Sequence, residues 1–103
     1  MVVEDRVLAH ITVVLMNPGR PPDLLRWVRA EFPSLDERSA IAAVRTVQSG
    51  LAEAHNLIDS ICGRDGPDAA RVEAPPLVAI ACPWQNGSTI DLFVGRAVNN
   101  YFR

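Results

Sequence analysis

Two histidines and two cysteines are the residues of this chain most suited to nucleophilic or metal chemistry, and their spacing supports neither. A Cys–His nucleophile pair needs thiol and imidazole within hydrogen-bond reach. His55 and Cys62 lie two turns apart on one expected helix, so they share a face but stand about 10.5 Å apart along its axis. His10 could approach Cys82 only if two distant apolar runs paired, and nothing in the sequence enforces that pairing. Zinc or another transition metal would call for ligands clustered at CxxC or HxxxH spacing, which the chain lacks. The glycines of Gly63-Arg64-Asp65-Gly66 sit in an acidic segment that runs into a proline instead of a helix, so they form no phosphate loop. The carboxylates Asp36 and Glu37 are accounted for by helix capping. The expectation is a protein that is not an enzyme, holds no cofactor or metal, and keeps Cys62 and Cys82 as buried free thiols.

All ten basic residues are arginine, and the net charge is −2. That balance supplies no general attraction to phosphate backbones. Arg26, Arg29, Arg38 and Arg45 nevertheless fall on a short helix, a turn and a second helix, the order of a DNA-binding helix-turn-helix. The second helix opens with Asp36 and Glu37, where a recognition helix meets bases and phosphates, and acidic groups there repel DNA. A DNA-binding regulator is therefore the alternative reading.

The element that dominates the chain is a long amphipathic helix over about residues 35–62. Ser34 with Glu37 forms a capping box at its start, and Gly63 is the expected stop. Its apolar residues Val44, Val47, Leu51, Ala54, Ile58 and Ile61 recur at spacings of three and four, the seam of a helix that packs along its length against another. Gly50 lies inside it beside Ala43 and Leu57, either to admit a second backbone closely or as a tolerated glycine at a bend. A short helix over 24–32 is capped by Asp23 and ended by Pro33.

Alternation over residues 7–16 predicts a strand, although Val7, Leu8, Ile11, Val14 and Leu15 also satisfy a helical template. Residues 63–76 read as a mobile polar loop, and the run 77–82 as a short buried strand closed by Pro83. Asn86-Gly87 carries a hairpin signal, but Ser88 with Asp91 makes a second capping box, and a C-terminal helix over 89–102 accounts for more residues. The expected fold is α+β and helix-dominated, with an all-α bundle as the alternative.

With 103 residues, 49% of them hydrophobic and 21% charged, the sequence is that of one globular domain over 1–103 and not of a disordered chain. A domain this size buries only about two thirds of its unfolded surface, so a subunit partner would help it. No charged start leads into a long apolar run, and no run is long enough to span a bilayer, which makes the cytoplasm the expected compartment. The long-helix seam then reads as a binding surface for a homodimer and for a protein partner, with Trp27 and Trp84 as anchors, since tryptophan and arginine concentrate binding energy. In size, dominant long helix and lack of a chemical site, the chain resembles the small bacterial antiactivators that sequester quorum-sensing transcription factors of the LuxR type. The resemblance implies a transcription regulator that acts by occlusion, an apolar helical face covering the activator's own dimerisation surface. It rests on architecture and carries over no functional residue.

Overall fold

The computed structural model describes residues 3–102 and contains five helices among them: α1 (Asp5–Met16), α2 (Leu24–Glu31), α3 (Glu37–Asp65), α4 (Pro67–Ala81) and α5 (Gly87–Tyr101). No strand occurs among the described residues, so the fold is all-α and the two expected strands are corrected. Residues 7–16 form most of α1, whose buried residues Val7, Leu8, Ile11 and Thr12 follow the helical template and not the alternating one. Thr12 is tolerated there because its hydroxyl donates to the Leu8 carbonyl at 2.8 Å. Residues 77–82 continue a helix that begins at Pro67, so the expected loop over 63–76 is also corrected.

The boundary between α3 and α4 explains that error. α3 runs past Gly63 to Asp65 and breaks at Gly66, the one residue with positive φ (89°) among those described. Pro67 follows at the first turn of α4, where its missing N–H costs nothing. Gly-Pro therefore ends one helix and starts the next. Pro75 and Pro76 lie inside α4, which survives two residues that cannot donate to the carbonyls of Arg71 and Val72.

The remaining caps are polar side chains. The Asp23 carboxylate accepts from the Arg26 N–H at 3.1 Å at the start of α2, as expected. α3 is capped by Asp36, which accepts from the Ser39 N–H at 2.7 Å, so the cap lies two residues after the expected Ser34. α5 is capped by Asn86, which accepts from both the N–H and the hydroxyl of Thr89; the expected cap Ser88 lies inside the helix.

The chain divides into two compact units with the boundary between Ser49 and Gly50, inside α3. The first holds α1, α2 and the start of α3, with Val7, Leu8, Ile11, Val28, Ala40, Ala43 and Val47 buried. The second holds the rest of α3 with α4 and α5. Contacts there fix the helix directions: His55 meets Phe93 with ring centroids 4.8 Å apart, and the Arg71 guanidinium donates to Asn99 Oδ1 at 3.4 Å. Arg64 pairs with Glu73 at 3.8 Å. α4 thus runs antiparallel to both α3 and α5. Its buried residues Ala70, Ala74 and Val78 recur every four positions and are small enough for close helix approach.

Candidate functional site

Four of the six seam residues, Val47, Ala54, Ile58 and Ile61, are buried in a single copy of the chain, and Val44 and Leu51 are half-buried. The face of α3 left to solvent carries Arg45, Gln48, Glu53, Asn56 and Asp59, with Ala42 and Ala52 between them. The four buried seam side chains are occupied within the chain itself. A helix of 29 residues needs a continuous apolar stripe simply to pack within its own fold.

Trp84 is likewise an interior residue. A Cβ built on Gly50 would lie 2.6 Å from Trp84 Cη2, 3.0 Å from Cys82 Sγ and 3.1 Å from the Ala81 carbonyl oxygen, so the glycine admits the end of α4 and the indole. Cys62 and Cys82 are free and buried. Burial is the main force pushing both thiols above their ordinary value, with Asp59 adding to it at Cys62 and Glu53 at Cys82. Arg71 eases the Cys62 shift and the Gln85 amide that at Cys82. A thiol is a weak partner, and Gln85, only 8% exposed, has neither its Nε2 nor its Oε1 satisfied by a well-formed hydrogen bond. No group of three or more histidine, cysteine or carboxylate side chains that could hold a metal occurs among the described residues.

The first unit carries the surface features that bear on binding. Trp27 is half-buried in an aromatic cluster, 5.5 Å from His10 and 6.3 Å from Phe32 between ring centroids, which ties α2 to α1 and to its own C-terminal end. Its place is structural, away from the groove on the neighbouring face of α2. That groove has a volume of about 550 Å³ and is lined by Asp23, Leu25, Arg26, Arg29, Ala30, Pro33 and Leu35. Leu25 and Leu35 are half-buried and Arg26 and Arg29 exposed, giving an apolar floor rimmed by guanidinium groups. A second groove of about 580 Å³ follows along the first turns of α3 between Asp36, Arg38, Ile41 and Arg45. Among the described residues, the side chains of Arg26, Arg29, Arg38 and Arg45 form no salt bridge, whereas Arg64 and Arg71 of the second unit do.

Sequence reasoning named these four arginines as possible phosphate contacts, and Arg26 and Arg29, beside Trp27, also as residues of the kind that concentrates binding energy. The signal for the groove was present in the pairing of Arg26 and Arg29 with Leu25 on one side of a short helix bounded by prolines. None of the five helices is long and apolar enough to cross a membrane. No family model, no curated protein and no solved structure matches this chain.

Proposed function

We propose that this chain is a small, non-enzymatic regulatory protein that binds an acidic, partly apolar segment of a partner protein in the groove on α2. The observation that carries the reading is the pair Arg26 and Arg29, exposed and with no salt bridge among the described residues, over the floor of Leu25, Ala30, Pro33 and Leu35. Guanidinium groups at a rim pair with carboxylates in fork geometry, and an apolar floor buries the intervening side chains. The resemblance to antiactivators of LuxR-type transcription factors adds a mode of action: the bound segment belongs to the partner's own dimerisation surface, and its capture blocks that dimerisation.

The exposed arginines also favour a second reading, in which α2 and α3 contact DNA. The ionised Asp36 and the adjacent Glu37 at the start of α3 weigh against it, because they present negative charge where the phosphates would lie.

Titration calorimetry separates the two. The probes are an amphipathic helical peptide with leucines on one face and glutamates beside them, the same peptide with lysine for glutamate, and a short DNA duplex. The acidic peptide should bind, and reversing both arginines (Arg26→Glu with Arg29→Glu) should weaken it at least about thirtyfold, the ~2 kcal/mol of a binding hot spot. Equal binding of the lysine peptide, or no loss on charge reversal, overturns the proposal. Retention of the duplex with steep salt dependence and no peptide binding replaces it with the DNA reading.

A further inference from the structure

α4 is apolar on two opposite faces, and only one of them is covered. Ala70, Ala74 and Val78 are buried, while Val72 and Ile80 are 76% and 77% exposed, with Pro76 between them also exposed. Successive residues of a helix are rotated by about 100°, which sets Val72, Pro76 and Ile80 on the side facing away from Ala70, Ala74 and Val78. Ala69, at the start of the same stripe, is half-buried, and Pro83, just beyond the helix, is exposed. A helix with apolar residues all round is ordinarily enclosed on all sides. From Ala74 to Ile90 there is no charged residue at all, although this stretch includes the exposed residues Pro76, Leu77, Ala79 and Ile80.

The geometry points to a second copy of this chain as what covers that face, with the two α4 helices packed antiparallel about a two-fold axis at Pro76. In an antiparallel pair centred there, each residue meets the one equally far on the other side of the centre. Val72 then faces Ile80 of the other copy and Pro76 faces Pro76, while Ala69 falls at the end of the other helix. The stripe is self-complementary, which is what an isologous interface requires.

Charge selects the same arrangement. Asp68, Arg71 and Glu73 all lie in the first half of α4, and antiparallel pairing sets Arg71 and Glu73 against the uncharged positions Ala81 and Ala79 and leaves Asp68 beyond the end of the other helix. Parallel pairing would bring Asp68 to Asp68 and Glu73 to Glu73, and like charges held together across an interface are costly. The two helix dipoles also oppose each other favourably only in the antiparallel pair.

The size of the face sets the strength. Fifteen residues make a helix about 22 Å long and roughly 10 Å across, well below the ~800 Å² per partner of a standard interface. The pair is accordingly a reversible, concentration-dependent dimer. It uses neither the groove on α2 nor any residue assigned to it, so it stands or falls independently of the proposed function.

Sedimentation velocity over roughly 5 to 500 µM spans the range in which so small an interface assembles. The wild-type mass should rise from 11.2 kDa towards twice that value, and Ile80→Asp should stay monomeric across the series with an unchanged circular dichroism spectrum. Cross-linking gives a second readout with substitutions at exposed sites. With a short bis-maleimide, Pro76→Cys should link to itself far more efficiently than Val72→Cys or Ile80→Cys does alone. Mixing the Val72→Cys and Ile80→Cys proteins should restore the link between unlike chains. The native thiols are buried and leave the background low. A monomer throughout the wild-type series overturns the proposal, as does self-linking at 72 and 80 equal to that at 76. Dimerisation undiminished in Ile80→Asp would place the interface elsewhere and overturn it as well.

Discussion

Replacing Gly50 by alanine sets two effects of known size against each other. In an open helix position the change is favourable by about 1 kcal/mol, because alanine is the better helix former. At Gly50 the new methyl would stand 2.6 Å from Trp84 Cη2, with the Cys82 sulfur at 3.0 Å and a backbone carbonyl at 3.1 Å. Ordinary carbon contacts lie at about 3.5–4.0 Å, so the buried indole would have to retreat by about 1 Å. Overpacking of this kind costs typically 1–3 kcal/mol, and a rigid ring backed by a carbonyl belongs at the upper end. The net expectation for Gly50→Ala is a loss of about 1–2 kcal/mol. Gly95 supplies the control: it lies inside α5, and a Cβ there meets nothing within 4 Å. Gly95→Ala should therefore stabilise by about 0.5–1 kcal/mol. Urea titrations followed by circular dichroism would measure both, and the variants should move in opposite directions. If Gly50→Ala proves as stable as Gly95→Ala, the close approach of Trp84 to α3 is wrong.

Three further outcomes follow from buried or capping polar groups. Gln85→Met should be neutral or stabilising by up to about 2 kcal/mol in the same titrations, because it removes two buried polar atoms that lack good partners; a clear loss would mean that the amide is satisfied in solution. Cys62 and Cys82 should react with a thiol reagent at neutral pH much more slowly in the native protein than after unfolding, since burial keeps both protonated. Rapid native labelling would contradict that burial. The Asp36 carboxyl is held below its ordinary value of 3.8 by the backbone N–H and then the hydroxyl of Ser39, with a smaller contribution from Arg38. A folded-state value below the unfolded one stabilises the protein above the ordinary value, and that contribution is lost as pH falls through the carboxylate range towards the folded value. Asp36→Asn keeps a good cap but cannot titrate, so it should flatten the acid limb of stability against pH. An unchanged acid limb would show that the Asp36–Ser39 bond does not persist in solution.

Helix α2 with its Asp23 cap, the C-terminal helix and most of α3 were legible in the sequence because each combines a boundary residue with a clear period. What misled was local. Over residues 7–16 the apolar content is so high that strand and helix templates both fit, and only the burial of Val7, Leu8, Ile11 and Thr12 decides between them. Pro75-Pro76 looked like a boundary and lies in a helix interior, whereas the true boundary, Gly66-Pro67, was hidden in a polar segment. The seam was assigned to another molecule, and four of its six residues are buried within the chain itself. Its period is the same whether the partner is a neighbouring helix or a second chain, so spacing alone could not tell them apart. The α2 groove escaped notice because the pairing of Arg26 and Arg29 with Leu25 marks which residues share a side, whereas the concavity depends on how α2 meets the residues after it.

The division of the chain inside α3 also distributes its spectroscopic reporters. Trp27 lies before the Ser49–Gly50 boundary and Trp84 after it, so each unit has its own intrinsic fluorophore. Trp84→Phe and Trp27→Phe variants would let emission follow the melting of one unit at a time. Both cysteines fall in the second unit, and thiol trapping during partial denaturation would time its opening alone. Where the two emission curves coincide, the uninterrupted α3 backbone makes the whole chain one cooperative unit. Where they separate, the glycine at the junction is the point at which a half-folded chain can persist, with one indole already in water and the other still shielded.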